Sequence, residues 1–211
     1  MAEVCLGYLL MLSRHLHHVD REVRRGNWVK PEGEGLIDKT LGVVGFGSIG
    51  RGIALRAVPC RMKVLAYDPR MDEMQPAAGV EFAHLDRLLQ EADYLCLACN
   101  LTPDNRHMID AGALARMKPT ACLVNMARGS LVDETALVAA LESGRLAGAA
   151  LDVYQREPLP ADHPFTNMHN VVLGSHNANN LQQANQAVNR NSIRNLLRGF
   201  QNAEQLAENT P

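Results

Sequence analysis

Three side chains in the second half of the chain have the types needed for acid–base chemistry on a carboxylic acid. Arg128, in VNMARGSL, offers a guanidinium that can grip a carboxylate through parallel hydrogen bonds. Glu157, in LDVYQREP, and His176, in LGSHN, are the types that form a general acid–base pair, because a carboxylate stabilises a protonated imidazole. Residue type and spacing also allow Arg128 to form a surface salt bridge and His176 to be an ordinary loop histidine.

The elements that would position these side chains alternate between short apolar runs and helical patterns. Strands are predicted over 41–46, 62–67, 80–82, 94–98, 121–125, 148–153 and 171–173, and helices over 48–58, 85–91, 111–117 and 134–143. Nearly continuous apolar strands that alternate with helices are typical of a parallel sheet covered on both faces. The predicted fold class is therefore α/β, a doubly wound parallel sheet of the Rossmann type. Ligands of such sheets bind at the carboxyl ends of the strands.

Further helical patterns flank the predicted sheet. Apolar residues recur at helical spacing from Leu6 to Val23, which predicts one long N-terminal helix over 3–25 that ends at Gly26. A C-terminal helix is predicted over about 180–200, followed by a frayed polar end. We expect a single domain over 1–211 with its core at about 38–176.

The stretch LGVVGFGSIGRGIA predicts a dinucleotide-binding turn. Gly45, Gly47 and Gly50 form a G-x-G-x-x-G motif between a strand and a helix. The first glycine allows a tight turn, the second lets a pyrophosphate approach the backbone, and the third lets helix and strand pack closely. The N–H groups of Ser48 and Ile49 would then face the phosphates at the positive end of the helix dipole.

An acidic residue at the end of the second strand bears on which dinucleotide binds. Asp68, in AYDPR, follows Gly50 by eighteen residues. A carboxylate in that place accepts hydrogen bonds from both ribose hydroxyls and repels a 2′-phosphate, which favours NAD over NADP. Arg70 keeps NADP open, because a guanidinium can bind a 2′-phosphate. A turn-capping Asp before Pro69 is the structural alternative.

Composition limits the classes of partner and compartment. A net charge of -2 with 21% charged residues provides no field that would attract nucleic acid or anionic lipid, and no apolar segment reaches the length of a membrane span. The 5 cysteines, an odd number in mostly apolar surroundings, fit a reducing cytoplasm. Cys96 and Cys99 spell C-x-x-C, which leaves a redox pair or half of a zinc site open. No second pair completes four ligands, so no metal is expected.

Taken together, the motifs resemble the D-isomer-specific 2-hydroxyacid dehydrogenase family, which contains phosphoglycerate, D-lactate, glyoxylate and hydroxypyruvate enzymes. The matching stretches are MAEVCLGYLLMLSR, REVRRGNW, GFGSIG with AYD, ADYLCLACNLTP, MKPTACLVNMARGSLVDETAL, LAGAALDVYQREPLPADHPF and NVVLGSH. They extend through nearly the full chain in the family's order. The resemblance implies hydride transfer between NAD(H) and a 2-hydroxy acid or 2-keto acid.

The resemblance also implies roles for individual residues. Arg128 would orient the substrate carboxylate and carbonyl, His176 would protonate the carbonyl oxygen, and Glu157 would tune His176. Asp152 would contact the nicotinamide carboxamide. Backbone contacts to the cofactor would come from Cys99, Asn100, Met126 and Ala127.

Several features depart from the family pattern. Family members have a substrate domain of about a hundred residues before the first helix. This sequence does not contain that domain, so we expect an incomplete active-site cleft. Ala98 and Asn100 stand where the family usually has His-x-Pro, and Gly174 and Ser175 stand where it commonly has Thr-Pro. Two alternatives to an enzyme stay open: an NAD-sensing, corepressor-like interaction module, and an NAD-binding domain without turnover. The family also implies a homodimer.

Overall fold

A sheet of parallel strands forms the centre of the molecule. This computed structural model describes residues 1–198 except 184, 185, 187 and 188, and within them the sheet has seven strands in the order β3-β2-β1-β4-β5-β6-β7. The strands are β1 Thr40–Val44, β2 Lys63–Tyr67, β3 Val80–Phe82, β4 Tyr94–Leu97, β5 Cys122–Asn125, β6 Gly148–Leu151 and β7 Val171–Leu173. The predicted doubly wound α/β fold is confirmed.

The strand order reverses next to β1, and this creates the binding crevice of the fold. Strand β1 pairs with β2 on one side, through Gly42 and Leu65, and with β4 on the other, through Gly42 and Leu95. The chain runs from β1 outward through β2 and β3 on one side and then crosses to β4 on the other side, which opens a crevice at the carboxyl ends of β1 and β4. All five residues of β1 are buried, in accordance with a central strand covered on both faces.

Helices connect the strands and cover the sheet. They are α1 Ala2–Ser13, α2 Leu16–Arg24, α3 Ser48–Ala57, α4 Leu85–Glu91, α5 Ala111–Arg116 and α6 Glu134–Glu142. Asp110 and Asp133 cap α5 and α6 by accepting hydrogen bonds from Ala113 N at 2.7 Å and from Ala136 N at 3.2 Å. Each cap satisfies one backbone donor that the helix itself cannot pair, and this fixes where the helix begins.

The N-terminal region forms two helices, so the prediction of one long helix over 3–25 is wrong. Helix α1 ends at Ser13, and His15 has a left-handed conformation with φ 53° before α2 begins. The carbonyl oxygen of Met11 lies 3.2 Å from Nδ1 of His17, and the backbone N–H of His15 donates a hydrogen bond to Leu12 O. The apolar residues keep their helical spacing across this break. The spacing therefore could not reveal that one helix ends and another begins here.

Helix α1 packs one face into the core of the sheet. Its buried residues are Cys5, Tyr8, Leu9, Leu12 and Ser13, and it contacts α3 and strands β5, β6 and β7. Leu9 is 1% exposed within a single chain, whereas Leu10 is 40% exposed. Only Leu10 of this pair is therefore left to be covered by another surface.

The chain divides into two units, Met1–His176 and Asn177–Pro211. In the second unit, described positions 182, 183, 186 and 189–198 are helical, in agreement with the predicted C-terminal helix. The predicted end of that helix near Phe200 and the polar end after it lie outside the described residues. Within the described part of the chain, no helix combines the length and the apolar character needed to cross a membrane.

Candidate active site

Every site residue predicted from the sequence lies at or just beyond the carboxyl end of a strand, on one edge of the sheet. After β1 come Gly45, Gly47, Ser48, Ile49 and Gly50; after β2, Asp68; after β4, Cys99 and Asn100; after β5, Met126, Ala127 and Arg128; after β6, Asp152 and Glu157; and after β7, His176. Because all the strands are parallel, their carboxyl ends share this edge.

The glycine turn after β1 leaves open space at its second glycine. Gly45 has φ +95°, and a Cβ there would lie 2.7 Å from the Cys99 backbone. A Cβ at Gly50 would lie 2.0 Å from Gly45 O, so helix α3 crosses β1 at a distance that only glycine allows. A Cβ at Gly47 would meet no atom within 4 Å. The chain's own packing therefore requires Gly45 and Gly50 but not Gly47.

The N-terminus of α3 faces this open space. Gly47 is the N-cap residue, and no side chain caps the helix. The N–H groups of Ser48 and Ile49 belong to the first turn, where an α-helix has no internal acceptors. Uncapped donors and the positive end of the helix dipole together suit an anionic group such as a pyrophosphate.

Asp68 stands beside the same turn. Its Oδ2 accepts a hydrogen bond from Phe46 N at 2.9 Å, and its Oδ1 accepts one from Arg70 N at 3.0 Å. The residue is only 8% exposed, and Arg70 Nε lies 3.8 Å from Oδ1. Each carboxylate oxygen has a second lone pair, so Asp68 can still accept hydrogen bonds from ribose hydroxyls.

The two cysteines of the C-x-x-C motif have separate environments. Cys96 is buried with its Sγ 3.4 Å from Cys5 Sγ, and the hydrogen bond with Cys5 together with burial raises the pKa of the Cys96 thiol. Burial also raises the pKa of Cys99, whose backbone lies against Gly45. All five cysteines are free, and no group of three or more metal-ligating side chains occurs in the described ranges. Cys5, Cys96 and Cys122 belong to the buried core.

The loop after β5 is held by an asparagine that the sequence analysis did not single out. Asn125, 1% exposed, donates from Nδ2 to Arg128 O at 2.9 Å and accepts from Ala127 N at 3.1 Å. These bonds close the loop, whose Arg128 side chain is exposed and donates to Ala127 O at 2.6 Å. A buried amide at the end of an apolar strand is the signal that could have identified Asn125.

Gly129, also missed, brings this loop against the next one. A Cβ at Gly129 would lie 1.9 Å from the Tyr154 carbonyl carbon and 2.4 Å from Gln155 N. Both obstacles are backbone atoms, so the loop that carries Arg128 and the loop that leads to Glu157 touch directly only because residue 129 is glycine. Backbone contact at Gly129 therefore holds the loop of Arg128 against the loop that leads to Glu157.

Glu157 and His176 form the pair predicted from the sequence. The His176 Nδ1 atom lies 2.7 Å from Glu157 Oε2, and Glu157 Oε1 accepts a hydrogen bond from Tyr154 N at 3.0 Å. His176 N in turn donates to Asp152 O at 2.7 Å. His176 has φ 57°, a left-handed conformation that costs a non-glycine residue about 1 kcal/mol or more.

Charge around the pair favours the ionised carboxylate. Burial alone would raise the pKa of Glu157, but hydrogen bonds from His176 and Tyr154 N and the charges of His176 and Arg128 lower it below its usual value. Arg128 thus lies within electrostatic reach of the pair. A cavity of about 610 Å³ opens beside it, lined by Tyr154, Glu157, Pro158, Leu159, Gly174, Ser175 and His176. This volume suits a small organic acid together with part of a cofactor.

Comparison with known proteins shows the family of the chain. Residues 6–178 match the family model described as D-isomer specific 2-hydroxyacid dehydrogenase, NAD binding domain. The chain belongs to this family. It is 40% identical over 205 residues to a glyoxylate reductase of Thermofilum pendens, covering 93% of this chain and 60% of that protein. The chain thus spans about three-fifths of that relative's length.

Solved structures of family members agree in fold but differ in cofactor. A D-lactate dehydrogenase of Lactobacillus jensenii, solved with NAD⁺, superposes with a TM-score of 0.81 at 29% identity, covering 92% of this chain and 63% of that one. A D-isomer specific 2-hydroxyacid dehydrogenase of Xanthobacter autotrophicus Py2, solved with NADPH, superposes with a TM-score of 0.75 at 32% identity, covering 83% and 73%. The nicotinamide-cofactor fold is therefore shared, and these two structures leave the choice of cofactor open.

Proposed function

We propose that this chain supplies the cofactor site and the acid–base residues of an NAD-dependent oxidoreductase. The reaction interconverts a 2-keto acid, NADH and a proton with a 2-hydroxy acid and NAD⁺. The observation that carries the proposal is the 2.7 Å contact between His176 and Glu157 on the same sheet edge as an uncapped glycine turn. Family membership supports the reaction class.

The cofactor would lie across the crevice at the carboxyl ends of the strands. Its pyrophosphate would be held by the N–H groups of Ser48 and Ile49, since the backbone is open at Gly47. Asp68 would bind the adenosine ribose, and its buried carboxylate favours NAD because a 2′-phosphate would be repelled. Further contacts along the nicotinamide half would come from Cys99, Asn100, Met126, Ala127 and Asp152.

The acid–base role follows from which nitrogen of His176 is engaged. Nδ1 faces a carboxylate that can only accept, so Nδ1 carries a proton and Nε2 is the atom that holds or releases the transferred proton. The contact with Glu157 fixes the orientation of the imidazole ring, so that Nε2 can be turned toward a substrate carbonyl oxygen. Arg128 would grip the substrate carboxylate and orient the carbonyl. When bound, NADH supplies the hydride.

The test separates cofactor binding from proton transfer. NADH titrated into the chain, followed by calorimetry, is expected to bind, and Asp68→Ala is expected to weaken that binding. A panel of 2-keto acids is then offered together with NADH, and NADH oxidation is followed by absorbance. His176→Ala is expected to abolish oxidation while retaining NADH binding, and His169→Ala serves as a matched control because His169 is exposed and precedes β7, at the amino edge of the sheet. Full activity in His176→Ala would defeat the acid–base role.

Two further properties of the chain are proposed. A homodimer is proposed because Leu10 of α1 and Leu55 of α3 are 40% and 59% exposed on helices that contact each other. Light scattering of the chain at micromolar concentration tests this, and a monomer would contradict it. A reducing cytoplasmic location is proposed because all five thiols are free, including Cys5 and Cys96 at 3.4 Å.

A further inference from the structure

A buried tyrosine of the first helix touches a carboxylate of the site. Tyr8 OH donates to Asp152 Oδ1 at 3.2 Å, and the two residues are 8% and 2% exposed. Tyr8 belongs to α1 and Asp152 follows β6, so the contact joins parts of the chain 144 residues apart. Packing alone does not require a hydroxyl here, whereas a buried carboxylate does require donors.

Gly174 provides the space in which this contact forms. A Cβ at Gly174 would lie 2.2 Å from Asp152 Oδ1 and 2.4 Å from Tyr8 OH. The φ of Gly174 is not in the positive range that favours glycine. Position 174 therefore requires glycine because there is no room for a side chain, and not because of an unusual backbone conformation. The tyrosine hydroxyl and the Asp152 carboxylate therefore occupy the volume that a side chain at residue 174 would take.

The Tyr8 hydroxyl keeps its proton and acts as the donor. Burial, followed by the charge and hydrogen bond of Asp152, raises the pKa of Tyr8 well above its usual range. A hydrogen bond to a charged acceptor is stronger than a neutral one and restricts the orientation of the acceptor. Asp152 Oδ1 is thus fixed relative to the end of β7, where Gly174 and His176 lie.

We infer that Tyr8 is a positioning residue for the nicotinamide half of the cofactor site. Its hydroxyl orients the Asp152 carboxylate toward the cofactor's carboxamide, and Gly174 leaves the room for this arrangement. The inference rests on the proposed function, because it takes Asp152 to be a ligand of the nicotinamide group. Tyr8 itself acts only through Asp152, so it affects one end of the cofactor and not the other.

The test compares two ligands that differ at that end. NADH and ADP-ribose, which lacks nicotinamide, are titrated into the wild-type chain and into Tyr8→Phe. Tyr8→Phe is expected to weaken NADH binding about fivefold and to leave ADP-ribose binding within about twofold, because loss of one oriented charged contact is of this order. Equal losses for both ligands, or no loss for either, would overturn the inference. A wild-type chain that binds neither ligand refutes the proposed function itself.

A matched control removes a hydroxyl elsewhere. Tyr94 is 5% exposed and begins β4, at the amino edge of the sheet, so Tyr94→Phe also removes a buried phenol hydroxyl. It is expected to change the affinity for NADH and for ADP-ribose by the same factor. A selective loss of NADH binding in Tyr94→Phe would show that the selective effect is not particular to Tyr8, and would overturn the inference.

A second measurement needs no cofactor. Gly174→Ala is expected to lower the thermal unfolding midpoint, because its Cβ meets both Asp152 and Tyr8. In the Tyr8→Phe background the same substitution is expected to lower the midpoint less, since Asp152 can move into the vacated space. This non-additivity measures the contact directly. Additive effects in the double variant would contradict the shared volume on which the inference depends.

Discussion

Gly47→Ala should separate cofactor binding from folding more cleanly than any other glycine substitution in the turn. A Cβ at Gly47 meets no protein atom within 4 Å, and φ -73° with ψ -161° is an extended conformation that alanine adopts. The space it would fill is the space assigned to the pyrophosphate. We therefore expect a folded protein that binds NADH poorly.

The expected magnitudes follow from the position of the residue. Alanine is a poorer N-cap than glycine by roughly 0.5–1 kcal/mol, and a gain of about 0.4–1 kcal/mol comes from the less flexible unfolded chain. The free energy of unfolding should therefore change by less than about 1 kcal/mol. A methyl group that displaces the phosphates from Ser48 N and Ile49 N removes charged hydrogen bonds of about 1.5–3 kcal/mol each. Loss of either bond alone should weaken NADH binding about 10- to 150-fold, and loss of both should weaken it by the product of the two factors.

The assay pairs calorimetric titration of NADH with thermal unfolding by circular dichroism. Gly7→Ala is the control, because Gly7 is exposed in α1 and also has no atom within 4 Å of its Cβ position. Gly7→Ala should stabilise the helix by up to about 1 kcal/mol and leave NADH binding unchanged. Unaltered NADH affinity in Gly47→Ala would refute the placement of the pyrophosphate at this turn.

Two other substitutions test the loops around the acid–base pair. Gly129→Ala should destabilise the fold by at least about 3 kcal/mol, because its Cβ meets Tyr154 backbone that cannot move aside; a melting midpoint close to wild type would contradict this. Glu157→Gln should make the thermal unfolding midpoint fall less as the pH is lowered into the acidic range. The folded pKa of Glu157 is lowered, so its stabilisation is present above its ordinary value of 4.5 and is lost as pH falls through the lower folded value. An unchanged fall of the midpoint in the variant would show that the pair contributes no pH-dependent stability.

The sequence by itself determined the fold class and the chemistry available to the site. Apolar runs that alternate with helical patterns predicted every strand of the sheet to within two residues at either end. The last residues of the predicted first strand, Gly45 and Phe46, instead form the turn, since Gly45 has φ +95°. Local patterns succeed here because buried parallel strands are marked by their own continuous apolar character.

Only the tertiary structure decided which groups meet. Beside the break at His15, the ring of His17 lies near Met11 O and His169 O, and such a contact has no signature in apolar spacing. The links from Tyr8 to Asp152 and from Gly129 to Tyr154 join residues far apart in the chain. The sequence names candidate acids, bases and donors, but distances between them arise from strand order and loop packing, which the folded chain alone fixes.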